Sequence, residues 1–234
     1  NSAAALSLAL DKEECKAILQ AAGIAAPRYQ VLDPSNVSRF HLNYPCIVKP
    51  CAEDASHGLS PESVVYDKTS LEKQVGKISK LYGGKALVEE FLEGREFNIT
   101  VLGNGEVFPI SEIVYSLPAG MPRILTFGAK WRPDDVYYDN TRAHCPADIS
   151  DVDREYIVST ARLAFKALGC RGYARVDLRL DGEGELNVLE VNPNPDVSPA
   201  TGAALQAQAA GISYNQFIQK IVDIALEDHR KCRQ

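Results

Sequence analysis

Apolar residues recur along this chain at two periods, and the switches between them mark out the elements. From Asp11 to Gly23 the spacing is helical. Cys15, Ile18, Leu19 and Ala22 share one side, Asp11 with Glu14 makes a capping-box-like start, and Gly23 is the stop. Tyr44 to Lys49 is a short apolar run closed by Pro50, read as a buried strand. Helical spacing returns at Leu71, Val75, Ile78 and Leu81, with Ser70 as the expected cap and Gly83-Gly84 as the stop. Strands are expected from Ala86 to Phe91 and from Glu96 to Leu102, where Phe97, Ile99 and Val101 alternate. Asn104-Gly105 reads as a two-residue hairpin turn, with Val107 to Val114 as the partner strand. Residues 116 to 146 lose periodicity, and so long an irregular segment within a compact domain is usually functional or disordered. Asp153 is expected to open a helix through Ile157, Ala161, Phe165 and Leu168. An Ala-rich helix from Gly202 to Ala210 and an amphipathic one through Phe217, Ile221 and Ile224, capped by Ser213 and Gln216, close the chain.

The most informative pattern lies between Arg171 and Pro195. Two alternating runs flank a Gly-rich turn, the mark of a β-hairpin. Ala174, Val176, Leu178 and Leu180 point one way, and Arg175, Asp177 and Arg179 the other. In the second run Leu189 and Val191 share a face, with Glu190 and Asn192 opposite. A four-residue loop, Gly182 to Glu185, pairs Asp181 with Leu186. It thereby sets Asp177 against Glu190 and Arg175 against Asn192. Directly opposed side chains lie roughly 5 Å apart at Cβ. Two carboxylates so placed repel, and one tends to protonate unless a cation lies between them. A hard divalent ion such as Mg²⁺ meets that need. A solvated face neutralised by Arg175 and Arg179 is the alternative.

Mixed helices and strands without regular βαβ order predict an α+β fold in two lobes, divided near Glu93-Gly94. The expected lobes are residues 1–93 and residues 94–234. With 234 residues, 45% hydrophobic and 24% charged, the chain has the composition of a soluble globular protein. A net charge of −6 gives no broad cationic footprint for nucleic acid or anionic lipid, so an anionic ligand must be held by a few local lysines. Lys12, in the first turn of a helix, and Lys49, at the tip of a buried strand, are such residues. The loop Glu53 to Gly58 could cradle phosphates through its amides, but no G-K-[ST] follows it. Six cysteines without metal-ligand spacing read as free thiols of a reducing compartment, the cytoplasm. The apolar opening Ala3 to Leu10 is too short for a membrane span and lacks the basic start of a signal peptide. A chain that begins at Asn1 suits a fragment or a processed form.

Eight motifs follow one another in order: LDK at 10–12, YPCIVKP at 44–50, EDASHG at 53–58, LVEEFLEGREF at 87–97, GAKW at 128–131, CPA at 145–147, GYARVDL at 172–178 and LEVNPNP at 189–195. In that order the chain resembles the ATP-grasp ligases, and within them the D-alanine–D-alanine ligases without their N-terminal domain. The resemblance implies two α+β lobes clamping ATP. It assigns Lys12 and Lys49 to the ATP phosphates, and makes the loop from Glu53 through Ser56 to Gly58 a mobile cover. Glu89 and Leu92 fall at the adenine hinge, Glu96 on the ribose, and Lys130 at the terminal phosphate. Asp177, Glu190 and Asn192 match ligands of Mg²⁺ (or Mn²⁺), and Arg175 matches the arginine that stabilises acyl transfer. Arg175, Lys130 and Ser56 are thus the catalytic candidates.

The implied reaction joins a carboxylate to an amine through an acyl phosphate made from ATP. The partners implied are ATP and small amino-acid-like substrates, with no nucleic acid and no membrane, and a homodimer is allowed for. Two departures bear on the substrate. The loop reads E-D-A-S where the family usually has E-G-S-S, and Asp196 stands where it usually has glycine. The second departure predicts poor use of D-alanine as second substrate. The alternatives are an ATP-grasp ligase for other amino acids or peptides, and a nucleotide-binding module without chemistry.

Overall fold

A computed structural model describes residues 1–231. Two antiparallel sheets form its frame. The smaller holds β1 (Tyr29–Leu32), β2 (Cys46–Pro50), β3 (Val64–Val65) and β4 (Ala86–Glu90) in the order β1-β4-β2-β3. Cys46, Val48 and Val88 point to one side, where α3 (Lys68–Tyr82) covers them with Leu71, Val75 and Ile78. The alternate positions Ile47, Lys49 and Glu89 face the cleft between the sheets.

The larger sheet runs β7-β6-β5-β8-β9, from β5 (Glu96–Leu102), β6 (Ser111–Tyr115), β7 (Thr141–His144), β8 (Tyr173–Leu180) and β9 (Leu186–Asn192). Phe97, Ile99, Val101, Ala174, Val176 and Val188 bury one face against α6 (Asp151–Ala167) and α2 (Lys12–Ala21), which contributes Cys15 and Leu19. The N-terminal helices α1 (Ala3–Leu10) and α2 therefore pack on the larger sheet, although β1 to β4 follow them in the chain. On the other face α7 (Gly202–Ala209) lays Ala203 and Ala207 beside Leu102, with Phe217 and Ile224 of α8 (Tyr214–Lys231).

Two helix starts shift by about one turn, for a common reason. Asp67 rather than Ser70 caps α3: its Oδ1 accepts from Ser70 N at 2.8 Å, and Ser70 is the reciprocal partner of the capping box. In α6, Ser150 is the cap and Asp153 its third-residue partner at 3.1 Å. The turn at Asn104-Gly105 spans three residues, because Leu102 N donates to Glu106 O at 2.8 Å. The strand expected from Val107 breaks into an isolated bridge and β6, with Pro109, which has no N–H, between them. Gln206 fills that gap, accepting from Thr100 N at 2.9 Å and donating to Asn98 O at 2.9 Å. The segment 116–146 contains two short helices, α4 (Phe127–Trp131) and α5 (Val136–Asp139), besides β7.

Candidate functional site

The cleft between the sheets gathers side chains from almost every motif singled out above. Lys12, Lys49, Glu53, Ser56, Glu89, Leu92, Glu96, Lys130, Asp177 and Glu190 all line it. Arg175 and Asn192 stand behind that wall, bonded to Asp177.

On the hairpin, Asp177 pairs with Glu190 and Arg175 with Asn192, as the alternation predicts. Two errors in the expected register cancel. The loop is one residue longer, since Leu180 pairs with Leu186, and a β-bulge between Asp177 and Leu178 takes up Leu189 as the extra residue. The bulge turns Leu189 from the core to the cleft wall and leaves its carbonyl to accept from Lys16 Nζ at 3.3 Å. Arg175 grips Asp177 with two bonds, Nε to Oδ1 at 2.7 Å and Nη2 to Oδ2 at 2.8 Å. Asn192 Nδ2 donates to Asp177 Oδ2 at 3.1 Å and to Glu190 Oε1 at 3.0 Å. The opposed carboxylates titrate apart. Burial raises Asp177, and Glu190 adds to the rise against the pull of Arg175. Glu190 falls to about 2: burial opposes its charge, but Lys12, Asn192, Lys130 and Arg175 outweigh burial.

Across the cleft, Glu89 is fully buried between two lysines, Lys16 Nζ and Lys49 Nζ, each 2.5 Å away. Burial alone would raise its pKa, yet the lysines hold it below the usual carboxylate value. Lys49 is shifted up in turn, because Glu89 outweighs the desolvation of the ammonium. Lys16 is itself 2% exposed and belongs to α2, so this triad ties the helix on the larger sheet to the smaller sheet. The sequence reading missed Lys16. Its signal was available, for it follows Lys12 by one turn and stands beside Cys15 on the apolar side.

The loop from Glu53 to Gly58 carries its own strain. Ala55 and Ser56 adopt left-handed φ values of 49° and 64°. Gly58 has φ +79°, and a Cβ there would lie 2.7 Å from Pro50 Cγ, so only glycine fits without a shift. Lys12 Nζ donates to Glu53 O, holding the start of the loop to α2. The far side leans on α4: Phe127 N donates to Leu59 O at 3.2 Å, His57 stacks on Phe127 at 5.4 Å, and Trp131 Nε1 donates to Ala55 O at 3.4 Å. Lys130 projects from this helix. Burial and the charge of Arg175 lower its pKa, against Glu190 and Asp177.

Glu96 lies where β5 leaves the link from β4. Tyr115 OH donates to its Oε2 at 2.7 Å and Arg179 Nη1 at 3.2 Å. Burial raises the carboxyl against the pull of Arg179. The link passes close to β8: a Cβ on Gly94 would meet Leu180 O at 2.5 Å. Asp196 is exposed, and its Oδ1 accepts from Ser198 N at 2.8 Å, so this carboxylate turns onto its own loop. The effect on D-alanine that the sequence reading gave Asp196 draws no support from that geometry.

The donor set fits a hard cation. Asp177 and Glu190 face each other, burial and then the charge of Glu190 push Asp177 toward protonation, and Asn192, which turns its Nδ2 to both, would present its Oδ1 by reversing the amide. Among the described residues no group of three or more His, Cys, Asp or Glu side chains is placed to hold a metal ion by itself. No described helix is long and apolar enough to cross a membrane.

The chain matches the family model described as D-ala D-ala ligase C-terminus over residues 18–223. It is 32% identical over 224 residues to a D-alanine–D-alanine ligase of Pseudoalteromonas translucida, covering 94% of this chain and 68% of that protein. It is 34% identical to D-alanine–D-alanine ligase A of Mesorhizobium japonicum, covering 97% of this chain and 63% of that one. Among solved structures, the VanG D-Ala:D-Ser ligase of Enterococcus faecalis superposes with a TM-score of 0.76 at 25% identity, over 94% of this chain and 63% of that chain. A D-alanine–D-alanine ligase of Bacillus anthracis complexed with ATP gives 0.73 at 24% identity, over 97% and 69%. The chain thus spans only about 63 to 69% of the length of these proteins.

Proposed function

Because the chain belongs to the D-alanine–D-alanine ligase C-terminal family and carries its ATP-grasp fold, we propose that it is the nucleotide-clamping part of an ATP-dependent carboxylate–amine ligase. The observation that carries this reading is one cleft in which Lys12, Lys49 and Lys130 face the carboxylates of Asp177 and Glu190. A polyphosphate with a hard cation complements both signs at once. The substrates proposed are two amino acids or amino-acid-like molecules, joined through an acyl phosphate. The lobes are taken to part at residues 93/94, the link between β4 and β5, with α1 and α2 seated on the larger one. The five described cysteines are free, which suits the cytoplasm.

Each residue then has a physical task. Lys12 and Lys49 bind phosphate oxygens, and Glu89 holds Lys49 in place from behind. Lys130 approaches the terminal phosphate from the opposite wall. Leu92 and Glu89 bound the adenine end, and Glu96 takes the ribose. Asp177, Glu190 and Asn192 would hold Mg²⁺ (or Mn²⁺), which would supply charge neutralisation at the phosphates. Arg175, fixed by its two hydrogen bonds to Asp177, offers a preorganised donor to a developing oxyanion. The loop from Glu53 through Ser56 to Gly58 and helix α4 close over the site and exclude water, which would hydrolyse an acyl phosphate.

The direct test is phosphate release from ATP by the full-length protein with amino-acid pairs. Release stimulated by a pair, with an amide product, supports the reading. ATP binding without any release would make this a binding module instead. Lys49→Met and Lys130→Met are each expected to weaken ATP by about tenfold or more, with adenosine changed little, because one charge-assisted contact to phosphate is lost. Equal weakening of both ligands, measured by calorimetry, would move these lysines away from the phosphates. Protease cleavage between Ser116 and Cys145 is expected to slow when ATP and Mg²⁺ are added, since a ligand held by Lys130 stabilises the closed segment. Unchanged cleavage at saturating nucleotide would remove the lid role.

A further inference from the structure

Arg179 is the least expected charge in the cleft. It is 3% exposed, and it belongs to the cleft wall. The alternation of β8 turns it to the same face as Arg175 and Asp177, and the β5–β8 register sets it against Glu96. Its Nε donates to Gly94 O at 3.1 Å, and its Nη1 to Arg123 O at 2.7 Å and to Glu96 Oε2 at 3.2 Å. The guanidinium lies 5.2 Å from the ring centre of Phe91 and 5.9 Å from that of Tyr115. Bonds and rings together fix its plane. One nitrogen is left over: Nη2 is buried and has no partner among the described residues.

Neutralising Glu96 requires only Nη1, and a lysine could do as much. An arginine held on three sides with a buried, unpaired nitrogen is a donor awaiting an acceptor. Glu96 shows the complementary vacancy. Both bonds recorded to its carboxylate, from Tyr115 and from Arg179, end on Oε2, which leaves Oε1 to accept from a ligand. Glu96 and Arg179 both line the cleft beside the link between the sheets, so an acceptor and a donor belong to the same wall. A vicinal diol satisfies both, since one hydroxyl can donate while its neighbour accepts. A sugar lacking one hydroxyl satisfies both only if its remaining oxygen reaches both atoms at once.

We propose that Arg179 is a specificity-determining residue that donates through Nη2 to one hydroxyl of the nucleotide's ribose while the other hydroxyl donates to Glu96, selecting ribonucleotides over deoxyribonucleotides. This rests on the ATP reading of the cleft. The test measures dissociation constants of ATP, 2′-deoxy-ATP and 3′-deoxy-ATP, with Mg²⁺, for the full-length wild type and two variants. Arg179→Lys keeps the charge beside Glu96 and has no second nitrogen. The double variant Arg179→Met with Glu96→Gln leaves no unpaired charge if the first fails to fold. Wild type is expected to bind each deoxy analogue about tenfold or more weaker than ATP. In Arg179→Lys, discrimination against one analogue should fall to within about twofold while that against the other persists, as loss of a single contact requires. The double variant should likewise lose the discrimination that Arg179 supplies. Equal binding of all three nucleotides by wild type overturns the proposal and leaves the ATP reading standing. So does undiminished discrimination in Arg179→Lys or, should that variant not fold, in the double variant. A wild type that binds no ATP overturns the ATP reading itself, and this inference with it.

Discussion

Replacing Glu190 with glutamine is expected to lower ATP turnover by about two to four orders of magnitude, the range for losing one preorganised electrostatic element. The side chain keeps its shape, and Asn192 can still bond to it. What goes is a charge that Lys12, Lys130 and Arg175 hold ionised down to about pH 2 in spite of burial. The fold should survive with a modest loss of stability, because Lys12 and Lys130 lose a favourable partner while relief of the Asp177–Glu190 repulsion and the intact Arg175–Asp177 pair offset part of that cost. Amino-acid-stimulated phosphate release measures the first effect, and a thermal melt without nucleotide the second. Turnover within a few-fold of wild type would end the proposed role of this residue in holding Mg²⁺.

Glu89→Gln is expected to act on stability instead, with a loss of about 3–5 kcal/mol, the cost of removing one partner from a buried ionic group. Lys16 and Lys49 would then face each other across a neutral amide, each within 2.5 Å of where the carboxylate oxygens were. The effect should extend to the joint between the two sheets, since Lys16 comes from the helix on the larger one and Glu89 from the smaller. A pH series gives an independent check. The folded pKa of Glu89 is lowered from its ordinary 4.5, so its contribution is fully present above that value. It is lost as pH falls from there through the folded pKa. Urea unfolding of wild type should therefore weaken with acid across that window, and the variant should show a shallower dependence. Equal midpoints for the two proteins at neutral pH would show that the triad stabilises nothing.

The site hairpin shows how much was legible in the sequence and how that legibility worked. Period two along Arg175, Asp177 and Arg179 puts these residues on one face whatever the rest of the protein does, because successive side chains of a strand must alternate. The opposed pair Asp177 and Glu190 emerged from that rule with a loop one residue too short. The bulge at Leu189 compensated, and no local pattern announces the bulge. Its carbonyl is engaged by Lys16 and Val188 N donates to Ala25 O at 2.8 Å, partners more than 150 residues away in the chain. The displaced caps at Ser70 and Asp153 are errors of a different kind. Asp67 and Ser70 form a capping box and Ser150 bonds Asp153, so polar residues stand at both the cap and the third helical position, and sequence alone does not say which is the cap.

What the sequence determined by itself, then, were the properties that depend on near neighbours. These were the α+β class, most elements, the face each strand presents, and the motifs that line the cleft in order. What only the tertiary structure decided were pairings between elements far apart in the chain. Lys16 on α2 meets Glu89 on β4, and Arg179 on β8 takes up half of Glu96 on β5. The helices before β1 join the core of the sheet that follows Gly94. Each of these is a buried charge or an apolar face that must find its complement to be tolerated. Periodicity says that such a complement is required, and only the packed chain says which residue supplies it.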